Sequence, residues 1–395
     1  MEPDYDVIVI GAGPGGSTAA RYAALHGAHV LMIEKRQEIG SPVRCGEGIA
    51  KRWLDRIGIE PSGRWIAKEV DGARIVSPGG YEIIVDESRA GNECGYVIHR
   101  DLFDQHLALE AARRGVEIEV KTSALDLLTK DGRVKGVRVM QMGHTSELSA
   151  HVVIGADGFE SQVGRWAGID TSLKPEDIDT CFQRTLVGID VDSRFTHFYT
   201  GSIAPGGYAW IFPKGEDIAN VGIGVQLSRV RGKGDAMRYL DAFISRHPWL
   251  AKGSSVRDVA GAVSTCTPLE RTVGDGIILV GDAARQIDPI TGGGVYNACI
   301  AGMHAGRVAA EAVELGDAGI NFLQRYEKAW RSELEEKLYR NWMVKEKYSH
   351  LGDETLDRAV KVIAEAKIER MSTRNLLDAL RKGAPDLVAE FEGFL

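Results

Sequence analysis

The sequence predicts a mixed fold, α/β at its N-terminus and α+β overall: a parallel sheet covered by helices, an antiparallel sheet inserted into it, and a helical C-terminal region. Three observations predict it. Residues 5–34 hold a strand, a glycine turn, a helix and a second strand in direct succession. Two further apolar strands, at 152–154 and 276–280, each run into a Gly/Asp end. Residues 68–88, before the first of these strands, and 181–227, between the two, carry β-rich patterns with turn signals.

The first stretch is the most informative. Val7 to Ile10 form a short β-branched run suited to a strand buried on both faces, and it stops abruptly at Gly11-Ala12-Gly13-Pro14-Gly15-Gly16. Gly11 allows the tight turn out of the strand, Gly13 lets a pyrophosphate approach the backbone, and Gly16 lets the next helix lie close to the sheet. The N–H groups and positive dipole end of the helix over 17–26 then form an anion clamp. The second strand, Val30 to Ile33, ends in Glu34, whose carboxylate suits the two hydroxyls of an adenosine ribose and disfavours a 2′-phosphate. This is a Rossmann-type site for FAD or NAD rather than NADP. A GxGxxG alone means little in a chain with 47 glycines, but here strand, helix and acidic strand end are in register.

With 395 residues, 44% hydrophobic and 26% charged, the chain has a globular composition and length enough for two or more domains. A net charge of -8 and the lack of a basic run argue against a nucleic-acid partner. The first strand begins within a few residues of the N-terminus, leaving no room for a signal peptide, so a cytoplasmic protein is expected. Cys45, Cys94, Cys181, Cys266 and Cys299 are far apart and lack metal-site spacing, which predicts no metal and no required disulfide. The longest apolar runs fall well short of the roughly 20 residues that span a bilayer, so membrane contact would be peripheral.

After Glu34, residues 35–49 are too glycine-rich for a regular element and suit a place where something approaches the backbone closely. Residues 68–88 read as a hairpin around Ser77-Pro78-Gly79-Gly80. Tyr96 to Arg100 read as a return to α/β, leading into a helix up to Arg113. Residues 116–153 read as short strands with a turn at Asp131-Gly132, closing in Gly155-Ala156-Asp157-Gly158. In Tyr208-Ala209-Trp210-Ile211-Phe212 three aromatics share one strand face, and Pro213 stops the strand. Gly276 to Asp282 form another buried strand, followed by Gly292-Gly293-Gly294 and a helix over about 295–315. Beyond 322 the chain reads as charged helices. There Tyr326, Trp330, Leu334, Leu338 and Trp342 form one stripe that reads as core packing, with membrane contact as the alternative.

The three signatures GAGPGG with Glu34, GADG at 155–158 and GDAA at 281–284 together resemble the FAD enzymes related to p-hydroxybenzoate hydroxylase. More narrowly, Arg44-Cys45-Gly46-Glu47-Gly48, Tyr208-Ala209-Trp210-Ile211-Phe212-Pro213 and Asp288-Pro289-Ile290-Thr291-Gly292-Gly293-Gly294 resemble the archaeal geranylgeranyl reductases, over nearly the full length. The resemblance implies a Rossmann-type FAD-binding domain with an inserted antiparallel β-sheet substrate domain. Its boundaries would be 1–66, 95–175 and 260–320 for the discontinuous FAD domain and 67–94 with 176–259 for the substrate domain, leaving 321–395 as the C-terminal helical region. It implies FAD contacts at Gly11, Gly13, Gly15, Gly16, Glu34, Lys35, Cys45, Gly46, Gly48, Arg100, Ala124, Asp157, Asp282, Gly293, Gly294 and Val295. The implied activity is saturation of isoprenoid double bonds in geranylgeranyl ether phospholipids, with electrons passing through FAD and peripheral contact at the inner face of the cell membrane.

The residues leave some alternatives open. Tyr208, Trp210 and Phe212 read equally as core or as one wall of an apolar substrate tunnel, and the resemblance favours the wall. Cys45 is a packing residue by default, while its glycine-flanked loop matches a flavin-facing position, which makes it, with Tyr208, a candidate catalytic proton donor. Asp157 reads either as a helix cap or as part of the cofactor architecture. An aromatic-hydroxylase type of monooxygenase and a non-catalytic carrier of electrons or lipid are the competing functions. Only one dinucleotide fingerprint is present, so reduced ferredoxin, a quinol or a transiently docking NAD(P)H all remain as electron donors.

Overall fold

The structure, a computed structural model, describes residues 2–51, 53–86, 95–366, 368 and 373–389. Cys94 lies outside the described residues. Contacts divide the chain into two units, one of residues 1–43, 100–173 and 264–342 and one of residues 44–99, 174–263 and 343–395. The division differs from the sequence-based boundaries, by a few residues at 174–175 and 260–263, which group with the second unit, and by more elsewhere. Residues 44–66 and 95–99 group with the second unit, 321–342 with the first, and the C-terminal region is not a unit of its own.

In the first unit the strand Tyr5–Ile10 runs parallel to Val30–Ile33 on one side and His144–Gly155 on the other, with Val7 opposite Val30 and Val152. Ile277–Leu279 continues the parallel sheet beyond His144–Gly155, and Glu117–Glu119 continues it beyond Val30–Ile33. Val7, Ile8 and Val9 are wholly buried, which explains why the strand is an unbroken apolar run rather than an alternation. The strands read as short are long ones. Thr122–Lys130 and Arg133–Gln141 are 9 residues each and His144–Gly155 is 12, because its first half pairs antiparallel with Arg133–Gln141 before its second half joins the parallel sheet. Asp131 and Gly132 both take positive φ (51° and 77°), the geometry that a two-residue hairpin turn demands.

Two helices of the first unit meet through glycines. A Cβ on Gly302 of Val295–Glu314 would lie 2.4 Å from the Gly15 carbonyl oxygen, and one on Gly306 would lie 2.2 Å from that of Ala19, so Pro14–Leu25 and Val295–Glu314 touch backbone to backbone. The stripe on the helix Ile320–Tyr348 is core: Tyr326, Trp330, Leu334 and Leu338 are all at 3% exposure or less. Tyr326 Oη donates to the Leu279 carbonyl at 2.7 Å and accepts from Gln286 Nε2 at 2.9 Å, and Trp330 Nε1 donates to Thr272 Oγ1 at 3.2 Å. For these four side chains the core reading holds and the membrane alternative does not; Trp342, the fifth of the stripe, is half-buried.

The second unit is built on a sheet ordered Ser254–Ser264, Ile178–Val187, Ile218–Gln226, Tyr208–Pro213, Phe195–Tyr199, Gly72–Val76, Glu82–Asp86. The expected antiparallel sheet contains one parallel pairing, Phe195–Tyr199 with Gly72–Val76. The hairpin read at 68–88 is present as Gly72–Val76 against Glu82–Asp86. One face of the sheet buries Ala209, Ile211, Val221 and Ile223 with Leu240 and Phe243 of the helix Asp235–Ser245. The opposite face carries Tyr208, Trp210 and Phe212, as strand alternation requires. Gly95–Ile98, expected to begin a return to α/β, instead pairs antiparallel with Gly48–Ala50 and Ile66–Val70 in a separate three-stranded sheet.

Candidate functional site

The glycine turn of the first unit separates into glycines that the fold needs and one that it does not. Gly11 has φ +106°, and a Cβ there would sit 2.3 Å from the Ala156 carbonyl oxygen. One on Gly16 would sit 1.9 Å from the Gly11 oxygen, and one on Gly15 3.3 Å from that of Ala298. A Cβ on Gly13 would meet nothing within 4 Å. Gly13 is also the N-cap of Pro14–Leu25, with Pro14 in the first turn and no acidic residue there to oppose an anion.

Glu34 is half-buried and accepts from the Ala12 N–H at 3.1 Å and the Arg36 N–H at 2.9 Å, so its carboxylate is held at the mouth of the turn with lone pairs to spare. Lys35 is exposed and pairs with Glu160 at 3.5 Å. Ala124 is half-buried against the core cluster of the sheet. Asp157 accepts from the Val163 N–H through Oδ2 at 3.0 Å, capping the helix Gln162–Trp166. Its buried Oδ1 has no hydrogen-bond partner among the described residues, and burial pushes the carboxyl above the usual carboxylate range.

Asp282 stands in the turn Gly281–Ala284, where burial raises its carboxyl above the ordinary value and the Arg100 guanidinium opposes the rise. Arg100 itself pairs with buried Asp104 at 2.6 Å. Gly294 lies beside Asp282, since a Cβ there would be 3.2 Å from Asp282 Oδ1. The loop before Gly293 and Val295 is folded back on itself: the Asp288 N–H donates to the Gly293 carbonyl at 3.0 Å, and Asp288 Oδ2 accepts from Asn341 Nδ2 at 2.7 Å. The helix Val295–Glu314 likewise has no acid in its first turn. An open Gly13, two bare helix starts, an oriented Glu34 and a buried oxygen on Asp157 in need of a donor fit a dinucleotide cofactor.

In the second unit, residues 45–48 lie against the aromatic face of the sheet. A Cβ on Gly46 or Gly48 would approach Phe212 to 3.0 or 3.1 Å, so both glycines are set by that contact. Trp210 and Phe212 are 7% and 9% exposed and Tyr208 is half-buried. Phe198 lies 5.5 Å from both Tyr208 and Phe212, ring centre to ring centre. Trp210 rests on Gly222, where a Cβ would come within 2.2 Å of the indole. Its Nε1 donates to Gln183 Oε1 at 2.9 Å, and Gln183 Nε2 donates on to the Cys45 carbonyl at 3.3 Å.

Gln183, Lys214 and Asn220 were not read from the sequence, and Glu47 was read only as part of the Arg44-Cys45-Gly46-Glu47-Gly48 motif, with no role of its own. Glu47 is 2% exposed, takes φ 76°, and its Oε2 accepts from Lys214 Nζ at 2.7 Å and from Asn220 Nδ2 at 2.6 Å. The available signal was an acid between two glycines and an Asn inside an apolar strand, each a reason to look for a buried partner. Cys299, by contrast, behaves as packing: it is wholly buried, and burial pushes its thiol up to about 12.

A family model described as "FAD dependent oxidoreductase" matches residues 6–200 and one described as "Geranylgeranyl reductase catalytic domain" matches residues 177–263. The digeranylgeranylglycerophospholipid reductase of Thermoplasma volcanium is 48% identical over 393 residues, 99% of each chain. That of Methanothrix thermoacetophila is 48% identical over 386 residues, 98% of each. Among solved structures, a geranylgeranyl bacteriochlorophyll reductase-like protein of Thermoplasma acidophilum superposes with a TM-score of 0.94 at 46% identity, over 99% of both chains. The myxobacterial chondrochloren halogenase, at 18% identity with a TM-score of 0.73 over 96% of both chains, shares the fold.

Proposed function

The chain belongs to the digeranylgeranylglycerophospholipid reductase family, and on that premise we propose how its residues carry out the reaction. The protein is an FAD-dependent oxidoreductase that saturates C=C bonds of geranylgeranyl chains in a glycerophospholipid. When bound in its reduced form, FAD supplies hydride. We assign its pyrophosphate to Gly13 and the start of Pro14–Leu25, its adenosine ribose to Glu34, and its ribityl chain to Asp282 beside Gly294.

An isolated trisubstituted alkene has no carbonyl to stabilise added hydride, so one carbon must receive a proton as the other receives hydride, and positive charge grows on the more substituted carbon. Aromatic faces stabilise such a cation more than they stabilise the neutral alkene, which is the differential binding that raises a rate. The observation that carries the assignment is the placing of residues 45–48 on the face formed by Tyr208, Trp210 and Phe212. That placing supports reading Cys45 Sγ and Tyr208 Oη as the candidate proton donors. Trp210 and Phe212, being buried, support the loop, and Tyr208 is the part of the wall left to meet a prenyl chain.

Electrons enter from a donor that docks transiently, since the chain carries one dinucleotide fingerprint and FAD takes it. Reduced ferredoxin, a quinol and NAD(P)H are the classes to compare. The protein works at the surface of the membrane that holds its substrate, and no helix among the described residues is long and apolar enough to cross one. The test prereduces wild type, Cys45→Ala and Tyr208→Phe and mixes each with geranylgeranyl lipid without oxygen. Loss of lipid reduction in one variant that retains FAD identifies the donor. Wild-type rates in both remove these two side chains from the chemistry.

A further inference from the structure

The aromatic face of the second unit holds a buried ion pair that none of the reaction's obvious requirements explains. Lys214 and Glu47 have 8% and 2% exposed side chains and meet at 2.7 Å, with Asn220 completing the site at 2.6 Å. Burying two charges is costly even when they are paired, and apolar residues of the same volume commonly do as well for stability. Every polar group of residue 47 is engaged. Its carbonyl accepts from the Ile98 N–H at 2.8 Å, its carboxylate binds Lys214 and Asn220, and its N–H donates to Cys45 Sγ at 3.2 Å. Residue 47 also takes φ 76°, a conformation that a residue with a side chain adopts only when its surroundings impose it.

Asn220 also donates to the Gly46 carbonyl at 3.2 Å and accepts from Thr185 Oγ1 at 2.8 Å. Gln183 donates to the Cys45 carbonyl. In the strand register Gln183, Gly222 and Trp210 form one row and Thr185, Asn220 and Phe212 the next, so these polar contacts come from the same face that carries the aromatics.

We propose that Glu47, Lys214 and Asn220 are positioning residues for the reduction, holding residue 47 so that its N–H takes one sulfur lone pair and turns the Cys45 S–H toward the alkene. This rests on the reading of Cys45 as proton donor. In the step itself the S–H bond breaks and a C–H bond forms at one alkene carbon, while the other carbon takes the hydride. The S–H electron pair stays on sulfur, beside the Glu47 N–H, and solvent returns the proton afterwards. Both electrons added to the substrate arrive with the hydride.

The test uses the FAD-loaded protein with Lys214→Met, Lys214→Arg, Glu47→Gln and the apolar double variant Glu47→Leu/Lys214→Met, which leaves no unpaired buried charge should a single variant fail to fold. Three quantities are measured: the single-turnover rate with geranylgeranyl lipid, the lipid concentration giving half that rate, and the alkylation rate of Cys45 by iodoacetamide, read from its peptide mass. The expected result is a rate lowered by about 10- to 100-fold in the Met, Gln and double variants, since small misplacement of a reacting group costs that much. Half-saturation stays where it was, Cys45 alkylation changes, and Lys214→Arg recovers most of the rate. Unchanged rate and alkylation in the double variant would overturn the proposal, as would a loss confined to lipid affinity. Cys45→Ala separates the two levels: full activity there overturns the proton-donor reading and this inference together, while an inactive Cys45→Ala with fully active pair variants overturns this inference alone.

Discussion

Gly13 and Gly16 sit three positions apart in one turn and do different things. A Cβ on Gly16 would lie 1.9 Å from the Gly11 oxygen, so Gly16→Ala should fail to fold or lose stability heavily, whereas Gly13 has open space and Gly13→Ala should fold normally. The Gly13 variant should nevertheless bind FAD at least about tenfold more weakly, ~1.4 kcal/mol, checked by fluorescence titration of the apoprotein. Asp282, the proposed ribityl contact, makes the complementary case, a buried carboxyl that costs stability. Its carboxyl is raised above 3.8 by burial, so in the folded apoprotein the charged form is disfavoured. The stability this gives is fully present below the unfolded value and is lost as pH rises through the folded one. Asp282→Asn should therefore melt higher than wild-type apoprotein at pH 7, with the gain shrinking toward pH 4, while retaining FAD less well. Melting curves of both apoproteins across that range decide it, and a gain that grows toward acid would refute the assignment.

At the scale of elements, the parallel strands and glycine turn were legible because burial on both faces leaves an unbroken apolar run, as in Val7 to Ile10. The aromatic face at 208–212 was legible as an alternation. Its partners were not, because Lys214 meets Glu47 across 167 positions and Asn220 reaches Gly46 across 174, distances over which no local pattern operates. The closeness of Pro14–Leu25 to Val295–Glu314 was likewise hidden: Gly302 and Gly306 look like ordinary helix glycines until Gly15 and Ala19 are placed against them. The stripe on Ile320–Tyr348 shows the limit of periodicity, which finds an apolar face without saying what covers it. Since Trp330 is wholly buried and bonded to Thr272, Trp330→Ala should cost about 3–5 kcal/mol in denaturant unfolding and leave vesicle binding unchanged. Lost vesicle binding at preserved stability would return that face to the membrane.

Over the whole molecule, the chain divides into one unit that fits a dinucleotide and one that presents an aromatic face with the 45–48 loop against it. The change of unit within the C-terminal region was not legible in the sequence, for a physical reason. Ile320–Tyr348 is a single 29-residue helix whose residues group with one unit up to 342 and with the other from 343, and an unbroken helix gives no composition change to read. The helix Asp353–Glu365 of the second unit is tied to a loop of the sheet through Asp357, which accepts from Ser77 Oγ and the Gly79 N–H at 2.6 Å each. Reduction of a prenyl double bond by hydride and proton leaves two traces, in the flavin and in the lipid. Protein reduced without oxygen is mixed with a geranylgeranyl glycerophospholipid while flavin absorbance is followed and the lipid is weighed by mass spectrometry. The expected result is flavin reoxidation with the lipid gaining two hydrogens for each flavin reoxidised. Flavin that stays reduced until oxygen is admitted, with the lipid mass unchanged, would contradict it.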